Sequence, residues 1–275
     1  MATTICLINQ KGGCGKSTTC FHLAGAFAGS GQRVLLVDVD PQGSLSQGFC
    51  GSAGVETLDA RATVAAVFDE SQFIAEPAQL ILKTAFEGIS LVPANQHLAA
   101  FNTPEPEHLG ILQYVLREFI EMTSSFDIVL IDCPPNLYRC SWSAMLAADE
   151  VIIPVPPEDF GTQGLRAVHQ TVEYAQRLNR SLNLLGHLVT RRDQRLVIHR
   201  TYEERIRLLY GTQVLETILP EAAAFKVSLA GRTPVEFDQP RSTAARLTRR
   251  LAHEINRRRA QRASSGKETT RQQVA

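Results

Sequence analysis

The run KGGCGKST at residues 11–18 combines glycines, a lysine and two hydroxyls at the spacing of a phosphate-binding loop. Its glycines let the backbone turn sharply and bring the N–H groups of Gly12, Gly13, Cys14 and Gly15 within reach of phosphate oxygens. Lys16 extends a point charge toward the β- and γ-phosphates. The Ser17 hydroxyl suits a Mg²⁺ ion, and Thr18 completes the motif. An apolar run at 5–8 precedes the loop and a helix-like segment at 18–30 follows it, the strand–loop–helix order such a loop needs. The helix adds the positive end of its dipole. A second ammonium, Lys11, stands before the glycine pair. It can neutralise charge at the terminal phosphate, in its own subunit or across a dimer. The plainer alternative is a solvated lysine.

Carboxylates supply the rest of the chemistry. A predicted strand at 33–37 ends at Asp38 and Asp40, and a predicted strand at 126–131 ends at Asp132. In open α/β sheets, functional groups gather at the C-terminal ends of parallel strands. A carboxylate at Asp40 can orient water, accept a proton late in phosphoryl transfer, or act through metal-bound water. Asp38 is expected to order the loop. Asp132, delivered by an apolar strand, can hold magnesium through water, and Pro134 and Pro135 stiffen the segment beyond it.

These residues need a scaffold of alternating strands and helices. Further strands are predicted at 80–83, 89–93, 150–155, 184–190 and 213–218. Helices are predicted at 62–68, 95–101, 108–122, 141–147, 165–178 and 242–262. The pattern predicts an α/β fold, an open and mostly parallel twisted sheet flanked by helices. A single ATPase domain is expected over 1–262, with a polar, disordered tail over 263–275. In the last helix Leu247, Leu251 and Ile255 form an apolar stripe expected to pack on the sheet, leaving Arg246, Arg249, Arg250, Arg257, Arg258 and Arg259 outward.

Together, KGGCGKST, VDVDPQG at 37–43 and IDCPP at 131–135 resemble the deviant Walker A ATPases of the ParA/MinD type. IIPVPPEDFGTQGL at 152–165 and ILPEAAAFKVSLAGRTPVEF at 218–237 resemble more specifically the ParA/Soj partitioning ATPases. The resemblance covers most of residues 3–256. It implies ATP and Mg²⁺ as cofactors, with Ser17, Asp40 and Asp132 around the metal and Lys11, Lys16 and Asp40 in catalysis. It implies that Lys11 reaches the partner's phosphates in a nucleotide-dependent homodimer. The wall at Pro156 and Glu158 resembles the part of the family that approaches base and ribose. Glu158 and Asp159 can contact nucleotide or partner, or cap the helix that follows. The expected activity is slow ATP hydrolysis, stimulated by a ParB-like or other adaptor, with release of non-specific double-stranded DNA. The cargo is plasmid or chromosomal DNA, or a protein assembly.

The second half carries the expected DNA surface. Asp193 and Arg195 match the family's Asp-x-Arg, whereas Arg192 stands where an apolar or aromatic residue is usual. Arg192, Arg195, Arg200, Lys226, Arg249 and Arg250 are the expected phosphate contacts, which position without reading bases. Residues 221–224 and 227–228 depart from the family's pattern, which affects the detail of this surface but not the fold.

Formal net charge is zero, but the halves differ. Residues 1–165 hold 7 Lys/Arg against 18 Asp/Glu, a balance of −11, and residues 166–275 hold 21 against 10, a balance of +11. That polarity points to an anion-seeking second half. The apolar content of 44% argues for a folded globular protein. No apolar run reaches membrane-spanning length, and a strand beginning at once leaves no room for a signal peptide. A cytoplasmic, nucleoid-associated protein is expected. Six cysteines without a close CxxC pair do not recreate the cluster setting of nitrogenase iron protein. A MinD-like membrane ATPase is the alternative function. It would need an amphipathic C-terminal segment, and residues 263–275 have only Val274 as a sizeable apolar residue.

Overall fold

The computed structural model describes residues 2–71, 77–158 and 162–273. Asp159, weighed above as a nucleotide or partner contact, lies outside them. Seven strands form one sheet in the order β3-β4-β2-β5-β1-β6-β7. They are β1 (Thr3–Leu7), β2 (Val34–Asp38), β3 (Leu82–Lys83), β4 (Ile89–Val92), β5 (Ile128–Asp132), β6 (Glu150–Val155) and β7 (Asn183–Val189). All neighbours run parallel except the short edge strand β3. The central strands are buried on both faces, as their continuous apolar sequences require.

Side-chain alternation divides the core in two. From β1, Ile5 and Leu7 face one layer and Cys6 and Ile8 the other. The first layer holds α1 (Lys16–Gly29), α2 (Ser44–Cys50), α9 (Ala223–Ala230), α10 (Val235–Asp238) and α11 (Thr243–Gln273). The second holds α4 (Ala65–Phe68), α5 (Val115–Glu121), α6 (Arg139–Ala147) and α7 (Thr162–Leu178). Between them in sequence lie α3 (Ser52–Glu56) and α8 (Val197–Tyr210), the latter with only Ile206 buried. The register sets Asp38 of β2 beside Asp132 of β5 at the same end of the sheet. The phosphate-binding loop leaves β1, on the other side of β5 from β2.

Several elements differ from expectation, among them the helix expected over 95–101, which is a 3₁₀ segment, Gln96–Ala100. The helix expected over 108–122 is a 3₁₀ segment, Pro106–Tyr114, followed by α5. Gly110 interrupts it at φ 56°, a conformation that ends a right-handed helix. Residues 213–218 form no strand. Val214 makes one isolated bridge to His187, and Leu215 and Leu219 donate to carbonyls of His187 and Val189. Several other backbone groups here bond to side chains of α11 instead. Glu254 accepts from the N–H of Glu216 (2.7 Å) and Thr217 (2.8 Å). Arg258 donates to the carbonyls of Thr212 and Val214 (both 2.9 Å). A side-chain pair on a helix thus does the work of a neighbouring strand. Finally, α11 continues to Gln273, past the boundary at 262, because extending an existing helix needs no new nucleus.

The apolar stripe of α11 packs as expected, with Leu251 and Ile255 fully buried. Its arginines do not all face outward. Arg249 pairs with Glu236 (2.8 Å), Arg257 with Glu216 (2.7 Å), Arg258 with Glu254 (3.0 Å) and Arg262 with Glu150 (2.6 Å), and Arg259 bonds to the Thr3 hydroxyl. The edge strand β7 explains much of this. Its carbonyls at Leu184 and Leu185 receive guanidinium N–H groups from Arg262 and Arg258. Arg246 and Arg250 remain exposed.

Candidate functional site

The loop at 11–18 lies at the base of a cavity of about 450 Å³. Gly15 starts α1 in the left-handed conformation (φ 91°), and no side chain caps the helix. Among the described residues, the N–H groups of Gly12, Gly13, Cys14 and Gly15 have no protein acceptor. Uncapped helix amides and orphan loop amides together make an anion cradle. Lys16 is buried at its edge, where its ammonium donates to the Asn9 carbonyl (3.1 Å). Asn9 is held in turn by the Pro154 carbonyl (2.7 Å).

The three carboxylates stand in different surroundings. Asp38, fully buried, accepts from the Asp40 N–H (3.0 Å), the Ser46 N–H (2.9 Å) and the Ser46 hydroxyl (2.7 Å). It orders the loop between β2 and α2. Burial raises its pKa to about 7, although the Ser46 bonds pull the other way. Asp40 accepts from the Gln42 N–H (3.0 Å) and lines the cavity. Burial raises it too, opposed by the Gln42 bond and Lys16. Asp132 differs from both. Both its oxygens are buried and without a hydrogen-bond partner of ordinary geometry among the described residues. Burial drives its carboxyl well above the usual range and repulsion from Asp38 adds to this, while the Ser17 hydroxyl and Lys16 oppose it.

An orphaned buried carboxylate beside a serine hydroxyl and a second carboxylate fits Mg²⁺. That ion prefers oxygen donors and is usually held by one or two carboxylates plus substrate phosphates. Accordingly, no group of three or more His, Cys, Asp or Glu side chains forms a metal cage among the described residues. Ser17, Asp40 and Asp132 are the residues that would hold it.

Lys11 does not point into the cradle. Its ammonium pairs with Glu158 at 2.6 Å, both side chains being partly exposed (44% and 41%). The bond to Lys11 holds the Glu158 carboxyl below its ordinary range. Neither Pro156 nor Glu158 lines the cavity. Thr190 and Arg191 after β7 line it, together with Leu219, Pro220, Glu221, Ala222, Phe225 and Lys226. Arg191 has no part in the Asp-x-Arg pattern that Asp193 and Arg195 match. Its guanidinium reaches the Gly13 carbonyl (2.8 Å) and Glu221 (3.1 Å). The signal was a cationic residue directly after the Thr190 that closes a parallel strand.

His22 also lines this cavity, as does Phe225. The Val235 N–H donates to Nδ1 of His22 (3.1 Å), so Nε2 carries the proton and donates to the Phe225 carbonyl (3.2 Å). Burial lowers the His22 pKa to about 4. Neutral imidazole here ties α1 to the cavity wall.

The expected DNA contacts separate into two groups. Arg192 is half-buried in an ion pair with Glu203 (2.7 Å), and Arg249 is held by Glu236 and the Pro240 carbonyl. Lys226 pairs with Glu221 (2.5 Å) at the cavity wall. Arg192 and Arg249 are tied to acidic partners of the body, whereas Lys226, its side chain 71% exposed, is held beside the cavity by a solvent-screened pair. Arg195, 88% exposed, folds back only on Asp193 (2.6 Å), Arg200 pairs with exposed Glu204 (3.1 Å), and Arg250 is exposed.

Comparisons with known proteins agree with this geometry. A family model described as an AAA domain matches residues 2–184. The chain is similar to an uncharacterized protein of Mycobacterium tuberculosis, 33% identical over 92% of this chain and 78% of the relative. It is similar to the sporulation initiation inhibitor protein Soj of Bacillus subtilis, 30% identical over 93% of this chain and 98% of Soj. In structure it is similar to cobyrinic acid a,c-diamide synthase of Mycobacterium smegmatis, solved with an ATP analog and magnesium. The TM-score is 0.75 at 28% identity, covering 92% and 93% of the two chains.

Proposed function

Because the chain belongs to the ParA/MinD family of deviant Walker A ATPases, we propose that it is a nucleotide-timed switch on non-specific DNA. It binds ATP and hydrolyses it. In the proposed cycle two subunits meet across their nucleotides, bind DNA together, and release it after hydrolysis while partitioning or positioning a cargo. An adaptor of the ParB type stimulates the turnover.

One observation supports the coupling most directly. Thr190 and Arg191 line the nucleotide cavity, and Arg195 and Arg200 stand exposed only a few residues farther along the same chain. A change at the phosphates is therefore a few residues of chain from the basic surface. Lys11 adds a second link. Its pair with Glu158 is solvent-screened and weak, so the ammonium is free to exchange a carboxylate for a partner's phosphate. Two subunits side by side would double the phosphate contacts, which strengthens DNA binding steeply.

In the site itself, Lys16 and the loop amides bind and orient the phosphates, and Asp40 holds the attacking water. A bound magnesium ion would supply charge neutralisation at the phosphate oxygens. The apolar stripe of α11 is used by the core, with Leu251 and Ile255 fully buried. These observations favour the DNA reading over membrane attachment.

A gel-shift series with ADP, ATP and a slowly hydrolysed ATP analogue tests the switch. The analogue should give the tightest binding to any duplex, and Arg195→Glu should weaken it with nucleotide affinity unchanged. Equal DNA affinity in the ADP and analogue states would overturn the proposal.

A further inference from the structure

We infer that Thr190 and Arg191 are positioning residues for the phosphate-binding loop: they hold two successive loop carbonyls and so aim two successive amides at phosphate. The Thr190 hydroxyl donates to the Cys14 carbonyl at 2.7 Å, and Arg191 Nη1 donates to the Gly13 carbonyl at 2.8 Å. A trans peptide is planar, with its C=O and the following N–H pointing in opposite directions. Holding the Gly13 oxygen against Arg191 turns the Cys14 N–H away from that wall. Holding the Cys14 oxygen against Thr190 does the same for the Gly15 N–H. Neither amide has a protein acceptor among the described residues.

The loop needs such support. Gly13 and Gly15 stand at φ 69° and 91°, where glycine moves between conformations at little cost. A flip of either peptide would present a carbonyl oxygen to phosphate where an N–H belongs, exchanging attraction for repulsion.

The strut is itself braced. Arg191 has a left-handed backbone (φ 54°), which a non-glycine residue adopts only when its surroundings hold it there. Glu221 supplies the hold, accepting from Arg191 Nε at 3.1 Å and pairing with Lys226 at 2.5 Å. The wall at 219–226 is thereby tied to the loop through one guanidinium. This inference rests on nucleotide binding alone, and the gel-shift result for DNA can fail without touching it.

The test uses the full chain with Thr190→Val, Thr190→Ser, Arg191→Met and Glu221→Gln. Three quantities are measured: ADP·Mg²⁺ affinity by fluorescent-nucleotide titration, ¹⁵N order parameters of Cys14 and Gly15 without nucleotide, and the thermal midpoint. Thr190→Val and Arg191→Met should each weaken ADP about tenfold, as loss of a positioned donor does. Their loop order parameters should fall from about 0.85 to below about 0.6, with the midpoint within about 3 °C of the parent. Thr190→Ser, which keeps the hydroxyl, should match the parent. Glu221→Gln added to Arg191→Met should change little, since both act through one strut. Parent-like order and affinity in Thr190→Val would overturn the inference. So would weaker ADP binding by Arg191→Met with an unchanged loop, which would make Arg191 a direct phosphate ligand.

Discussion

Asp132 is an ionisable group buried without a hydrogen-bond partner of ordinary geometry among the described residues, and that is destabilising. Asp132→Asn should therefore separate function from stability. Magnesium-dependent phosphate release should fall about a hundredfold or more, as removal of a preorganised electrostatic group does. Urea unfolding at pH 7 should show stability unchanged or raised by about 1 kcal/mol. A large fall in stability would assign Asp132 to the fold. His22 gives a second prediction at this scale. Its folded pKa, about 4, lies below the ordinary 6.5. Above pH 6.5 both folded and unfolded states are neutral and the contribution is complete. As pH falls toward 4 the unfolded chain gains a proton that the folded chain does not, so stability is lost. At pH 5 the loss from His22 is about 2 kcal/mol. Denaturation at pH 7 and pH 5 checks this, and His22→Gln should show a smaller difference between the two.

Among the elements, α11 carries more than its apolar stripe. Arg258 and Glu254, four residues apart, stand in for a strand beside residues 212–217. Arg258→Ala would leave the carbonyls of Thr212 and Val214 short of a donor and Glu254 without its cation. A loss of about 2–4 kcal/mol in urea unfolding is expected, and Arg258→Lys should restore only part, lacking the fork that reaches several acceptors. This also explains why residues 213–218 read as a strand. Their alternation and β-branched residues were legible, but the choice of partner was not. A ladder needs a neighbour, and here the neighbour is a helix some forty residues later. The phosphate loop, β1, β2, β5 and their carboxylates were legible because each signal is local and contiguous.

Seen whole, the molecule spends much of its basic second half on itself. Arg192, Arg249, Arg257, Arg258 and Arg262 pair with acidic side chains of the body, leaving Arg195, Arg200 and Arg250 as outward candidates from the expected set. If a dimer offers these three from each subunit, about six phosphates are neutralised. The log–log dependence of DNA affinity on salt should then have a slope of about −5. Titration at several salt concentrations with the slowly hydrolysed analogue measures it. Arg195→Glu should make the slope shallower by about two, one contact per subunit, and an unchanged slope would remove Arg195 from the interface.

By itself the sequence determined the α/β class, the phosphate loop, the three acidic strand ends and the stripe that docks α11. Those features depend on spacing along one segment and on burial patterns that repeat within it. Only the tertiary structure decided that Lys11 rests on Glu158, that Arg191 lines the cavity at the phosphate-binding loop, and which arginines face solvent. A charge has no address until the fold sets its nearest acid, and those acids lie as many as 147 residues away.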